Sequence, residues 1–163
     1  MADDGFSIRD AQPAEFARIG EIAVAAYSAL EPIDDYIDEI RDTASRAAVA
    51  RVLVAVEPDG TILGTVTYIP GPGPLSERER EDEAGFRVLA VDPAAQGRGV
   101  GRALAESCVQ LAVRDGRGGV AILTRPSMAS AHRLYESMGF ARDRDDDWEF
   151  LPGEWLWGYR IRF

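Results

Sequence analysis

The chain has 163 residues, 46% hydrophobic and 28% charged, and its 18 basic and 28 acidic side chains leave a net charge of −10. That length and balance fit one folded domain with a sizeable core and exclude a disordered or fibrous chain. The acidic excess argues against nucleic acid, whose phosphates reward a basic surface, and is compatible with a cationic partner.

No apolar run approaches the ~18 residues that span a bilayer. The opening MADDGFSIRD lacks the basic and apolar regions of a secretion signal. A cytoplasmic protein without a membrane partner is therefore expected. Cys108 is the sole cysteine, which excludes an intramolecular disulfide, and its place in an apolar helix pattern predicts a small core residue. His132 is the sole histidine, with no nucleophile motif around it, and is expected to be a solvated helix residue. No metal site is expected. Every basic residue is arginine, and the chain contains neither lysine nor asparagine.

In chain order, FSIRDA reads as a short strand. Pro13 suits a first helical turn. Phe16, Ile19, Ile22, Ala23, Ala26, Tyr27 and Leu30 recur at helical spacing, predicting an amphipathic helix over 13–30. After Pro32, the same spacing in Ile33, Tyr36, Ile37, Ile40, Ala44 and Ala47 predicts a second helix to about Ala48. RVLVAVE and TILGTVTYI flank Pro58-Asp59-Gly60, where proline presets φ and glycine takes the left-handed position, so an antiparallel hairpin is expected over 51–69.

PGPGPLSERERED is a loop, because its prolines cannot feed a sheet ladder. AGFRVLAV is the next strand, followed by a helix on which Val100, Leu104, Cys108 and Leu111 share a face. GVAILTR is apolar enough to be a strand covered on both faces. SMASAHRLYESMGF reads as a short helix stopped by Gly139. Phe140 begins another strand, and RDRDDDWE is expected to be an acidic loop. In the last strand Trp155, Trp157, Tyr159, Ile161 and Phe163 alternate with polar residues, predicting one buried face. The order β-α-α-β-β-β-α-β-α-β-β predicts an α/β (mixed α+β) fold. It would be a mixed sheet of about seven strands with four flanking helices, in a single domain over 1–163.

Between strand and helix lies QGRGVGRA, residues 96–103. A helix start presents unpaired N–H groups, and glycines let the backbone approach an anion closely, so this turn suits a phosphate. It is not a Walker A loop, which needs a lysine, nor the dinucleotide fingerprint, whose third glycine is replaced by Arg102. With LAVDPAA before it, the turn resembles the acyl-CoA loop of the GCN5-related N-acetyltransferase (GNAT) family. Its Gln/Arg-x-x-Gly-x-Gly/Ala core is matched by Gln96-Gly97-Arg98-Gly99-Val100-Gly101. Downstream, AHRLYESMGF is similar to that family's Ala-x-x-Leu-Tyr-x-x-x-Gly-Phe hallmark.

The resemblance implies a sheet splayed between its fourth and fifth strands, with acetyl-CoA as cofactor in the notch. Leu89, Ala90 and Val91 would pair with the pantetheine arm, and the Val91 N–H would polarise the thioester carbonyl. Gln96, Gly97, Arg98, Gly99, Val100, Gly101 and Arg102 would hold the pyrophosphate, while Met128, Ala131 and Tyr135 would complete the cofactor site. Tyr135 would be the general acid for the departing thiolate. The implied reaction is direct attack of a primary amine, on a small molecule or a protein, by a monomer or homodimer.

Two departures from the family pattern stand out. Met128 occupies a place that is often asparagine, and Gly85 occupies one that is often a glutamate base, with Glu83 nearby. They leave open a non-catalytic acyl-CoA sensor or a different acceptor class. Family substrate regions here carry Glu31, Asp34, Asp35, Tyr36, Tyr68, Asp145, Asp146, Asp147 and Trp148. Of these, Tyr36, Tyr68, Asp34 and Trp148 are the substrate-binding candidates. Carboxylates beside aromatics predict a cationic amine.

Overall fold

A computed structural model describes residues 5–34 and 36–163. The order is β1 (Ser7–Asp10), α1 (Phe16–Ser28), α2 (Ile37–Arg41), α3 (Thr43–Val49), β2 (Arg51–Val56), β3 (Ile62–Ile69), β4 (Glu83–Val91), α4 (Val100–Arg114), β5 (Gly119–Thr124), α5 (Ala129–Ser137), β6 (Ala141–Leu151) and β7 (Glu154–Arg162). The strands form a seven-stranded mixed sheet ordered β1-β2-β3-β4-β5-β7-β6. Among the described residues, no helix is long and apolar enough to cross a membrane. The chain divides into two compact units: residues up to Tyr68 with Val88–Ser107, and Ile69–Arg87 with Cys108–Phe163.

In the first unit β2 pairs antiparallel with both β1 and β3, and Gly60 turns the expected hairpin at a φ of 90°. The apolar stripe of α1, Ile19, Ile22 and Ala23, packs on Val52, Val54, Val56 and Ile62 with Val88 and Ala90. Burying each such aliphatic side chain contributes about 1.5–3 kcal/mol.

The helix expected to run to Ala48 is two helices. Asp42 breaks it, because its carboxylate accepts the Ser45 N–H at 3.1 Å and the Ser45 hydroxyl at 2.6 Å, which starts α3 afresh. The buried Arg46 then donates to the carbonyls of Glu39 (2.8 Å) and Ile40 (3.0 Å), closing the end of α2. The described residues thus hold five α-helices rather than four.

Gly64 fixes where α4 begins relative to β3. A Cβ there would lie 2.8 Å from the Ala90 carbonyl oxygen, 3.0 Å from Val100 Cγ1 and 3.2 Å from Leu104 Cδ1. The oxygen belongs to backbone and cannot rotate away. Gly64→Ala is therefore expected to cost about 1–3 kcal/mol of stability, measured by urea denaturation; an unchanged midpoint would show that this contact is not tight.

In the second unit the start of β4 pairs parallel with β5, Glu83 opposite Gly119 and Gly85 opposite Ala121. Both strands run on past those pairs, β4 to Val91 and β5 to Thr124. Cys108 is buried, as its helix pattern predicts. Strand β7 pairs antiparallel with β5 and β6.

Two expectations need correction here. RDRDDDWE is not a loop but part of β6, with its register shifted between Asp143 and Trp148. Three of its four aspartates are tied down: Arg142 grips Asp147 at 2.5 and 2.6 Å, and Arg160 pairs with Asp143 and, at 2.6 Å, Asp146. Strand β7 does not bury one whole face. Trp155 and Phe163, at its ends, are exposed, whereas Arg160 on the opposite face is buried. Mid-strand both faces are covered, Tyr159 by His132 and Arg160 by its carboxylate partners.

Candidate active site

Val88 is the only non-glycine among the described residues with a positive φ, 53°. A β-branched side chain rarely adopts that conformation, so β4 carries a deliberate kink, stabilised by burying Val88 in the first unit's core. Beyond the kink Leu89 and Val91 are half-buried and Ala90 is buried. The Asp92 N–H donates to the Leu63 carbonyl at 2.8 Å, and Pro93 has no N–H to continue the ladder. Asp92 also accepts from the Ala94 N–H at 3.0 Å and from Arg18 at 2.8 Å, which fixes the exit from the strand.

The glycine turn follows in the same unit. Gly97 and Gly99 have φ of 84° and 79°, so both need glycine. Residues Gln96 to Gly99 are exposed, while Val100 is buried and roots α4. A Cβ at Gly97 or Gly99 would meet nothing within 4 Å. The Ala103 N–H donates to the Gly99 carbonyl at 3.1 Å, so the amides before Ala103 precede the helical ladder. They carry the positive end of the helix dipole. Arg98 pairs with Glu57 at 2.9 Å and Arg102 with Glu106 at 3.5 Å, so backbone amides, more than these guanidinium groups, define the cradle.

The second unit holds Met128, Ala131 and Tyr135. Met128 and Ala131 are half-buried on the first turn of α5. Tyr135 is buried among aromatics, with ring centres 5.7 Å from Phe86, 5.7 Å from Phe140 and 6.2 Å from Tyr159. Gly139, with φ 99°, closes α5 as its sequence predicts.

His132 is not a solvated residue. It is buried, with Nε2 2.8 Å from Thr124 Oγ1 and 3.0 Å from the Arg125 carbonyl oxygen. Its ring stacks on Trp157 and Tyr159 at 5.2 and 5.4 Å. Burial lowers its pKa, against the upward pull of the Arg125 carbonyl and Glu136. A signal for this lay in its spacing: three residues before Tyr135 is the same face of one helix.

Glu83 is fully buried. Arg160 holds it through two bonds, 2.8 and 3.2 Å, Arg162 adds a third at 3.2 Å, and the Arg80 N–H donates to it at 2.8 Å. Burial pushes its pKa up, but these arginines and the amide outweigh that and hold it below the usual range. It is a committed anion, not a base waiting for a proton. Sequence reasoning missed this pair because its members lie 77 residues apart.

The four substrate candidates differ in exposure. Asp34 is exposed, Tyr36 half-buried and Tyr68 fully buried, all in the first unit; Trp148 is exposed, in the second. Asp35 lies outside the described residues.

Comparison with known proteins adds independent support. The family model "Acetyltransferase (GNAT) family" matches residues 16–140, which takes in the kinked strand, the glycine turn and Tyr135. The chain is 31% identical to N-acetylaspartate synthetase of Danio rerio over 83 residues, 50% of this chain and only 29% of that protein. A GCN5-related N-acetyltransferase from Kribbella flavida superposes with a TM-score of 0.74 at 23% identity, covering 99% of this chain and 100% of the other. A GNAT acetyltransferase from Brucella melitensis, in complex with acetyl-CoA, gives a TM-score of 0.65 at 26% identity, covering 97% and 88%. The kink, the open turn and the tyrosine helix thus fall within one matched segment, and the chain belongs to the GNAT family of acetyltransferases.

Proposed function

We propose that this chain, as one acetyltransferase domain over 1–163, transfers an acetyl group from acetyl-CoA to a primary amine. The observation that carries the reading is the pairing, in one unit, of the Val88 kink with the open cradle above Gly97 and Gly99. Amides from Gln96 to Gly101 would receive the diphosphate, with Arg102 at the rim. Backbone groups of Leu89, Ala90 and Val91 would receive the pantetheine amides, and Met128 and Ala131 would line the arm. Acetyl-CoA supplies the activated thioester. The Val91 N–H would orient its carbonyl, and Tyr135 would hold the proton for the departing sulfur. A phenol, with an ordinary pKa of ~10, still carries that proton at neutral pH.

No carboxylate base is needed if the acceptor is an α-amine. Such a group has a pKa near ~8 and is partly neutral at physiological pH. That fits Glu83, which is locked to Arg160 and Arg162. The same locked glutamate, with Met128 in place of asparagine, favours a second reading, a non-catalytic acyl-CoA sensor.

Calorimetric titration tests both. Wild type is expected to bind acetyl-CoA below millimolar concentration. Gly99→Val, which strains φ and fills the cradle, is expected to weaken binding at least about tenfold. No binding at millimolar cofactor would overturn the assignment. Binding without thiol release on any amine would select the sensor.

A further inference from the structure

We propose that Glu79 is the general base of the reaction, and that the acceptor is a basic alkyl amine, still an ammonium ion when it arrives. This inference rests on the acetyltransferase reading above and adds a residue to it. Glu83 is locked by Arg160 and Arg162. The β6 aspartates expected to receive a cation are engaged too: Asp147 by Arg142, and Asp143 and Asp146 by Arg160.

Gly85 shows where another carboxylate enters. A Cβ there would lie 2.9 Å from the Ala121 carbonyl oxygen and 3.0 Å from Glu79 Cδ, and would collide with Glu79 Oε1. The Glu79 carboxylate thus fills the space that a side chain at Gly85 would take, although Glu79 belongs to the connection between β3 and β4. Register fixes this placement. Residues 83, 85 and 87 share one face of β4, because side chains alternate along a strand. Glu77 meets Arg87 at 2.7 Å, Glu79 covers Gly85, and the Arg80 N–H donates to Glu83 at 2.8 Å, so the connection doubles back along that face. Arg160 also donates to the Arg78 carbonyl at 3.3 Å. Within the Glu79 carboxylate, Oε2 accepts from the Glu77 N–H, while Oε1 lies against Gly85, whose C–H groups compete only weakly for its lone pairs.

Glu79 is half-buried, so it is held in place yet reachable. Among the described residues, Gly85 and Ala121 are the last parallel pair of β4 and β5, and the carboxylate stands where the two strands stop pairing. Phe86 faces the other side of β4, with its ring 5.7 Å from that of Tyr135. The strand therefore separates the base from the acid. An alkyl amine, with a pKa near ~10.4, is almost wholly protonated at neutral pH and must lose a proton before it can attack. Glu79 takes that proton, which frees the nitrogen lone pair. The C–N bond forms, the C–S bond breaks, and sulfur leaves with the Tyr135 proton. The nitrogen's second proton restores Tyr135, and Glu79 releases its own to water.

The test compares ethylamine, charged at neutral pH, with 2,2,2-trifluoroethylamine, which is largely neutral there. With acetyl-CoA saturating, Glu79→Gln is expected to lower the ratio of ethylamine to trifluoroethylamine kcat by about 10²-fold, because only the charged amine needs the base. Gly85→Ala, which displaces the carboxylate but keeps Glu79, should lower the same ratio at least about tenfold. Acetyl-CoA affinity should stay within about twofold in both variants. A second measurement needs no turnover. Ethylamine is titrated into the CoA-bound protein carrying carboxyl-13C-labelled glutamate, with the Glu79 resonance assigned by its absence from Glu79→Gln. A saturable shift of that resonance supports the proposal. An unchanged kcat ratio, a Glu79 resonance that does not respond, or no turnover of ethylamine by wild type would overturn it. Only failure to bind acetyl-CoA would overturn the acetyltransferase reading.

Discussion

Tyr135→Phe is expected to lower kcat by about 10²–10⁴-fold while acetyl-CoA affinity stays within about twofold, because it deletes the proton donor and keeps the ring. The ring is held by Phe86, Phe140 and Tyr159, and those contacts survive without the hydroxyl. The fold should therefore persist. Steady-state thiol release and calorimetry on the same preparation separate the two quantities. A kcat within threefold of wild type would remove Tyr135 from the chemistry and leave it a packing residue between α5 and the sheet.

The second large effect is on stability. Arg160→Met leaves Glu83, fully buried, without its bidentate partner, and strips Asp143 and Asp146 of theirs. Breaking a buried pair from one side costs about 3–5 kcal/mol, since the remaining charge is dehydrated and uncompensated. The effect should depend on pH. In wild type the pKa of Glu83 is held below its unfolded value. Its contribution is present above about pH 4.3 and is lost as pH falls through the folded pKa. In the variant, burial pushes the carboxyl up against only the Arg162 and Arg80 N–H contacts, so protonation relieves part of the cost. The gap between the two proteins in urea midpoint should be wide at pH 7 and narrow towards pH 4. A gap independent of pH would show that lost packing, not charge, is the cause. Adding Glu83→Gln should recover part of the loss.

The parts legible in the sequence were those written locally. Gly60 and Gly139 announce positive φ by being glycine at a turn and at a helix end, and each has it. The α1 stripe and the two hairpin strands follow from periodicity. What periodicity could not carry was decided by partners far along the chain. The β6 aspartates read as loop because charge runs are usually solvated; Arg142 and Arg160 make them strand. His132 reads as surface until Thr124, Trp157 and Tyr159 enclose it. Asp42 offered a local signal, an N-cap residue followed three places on by Ser45, but the apolar spacing on either side masked it.

The Arg46 clamp has an outcome for motion. A helix of five residues has no standing of its own in water, because nucleation costs more than so few bonds return. Helix α2 exists because a guanidinium from α3 caps its carbonyls. The two helices are thereby expected to act as one cooperative piece, with amide exchange over residues 37–49 rising together rather than from either end.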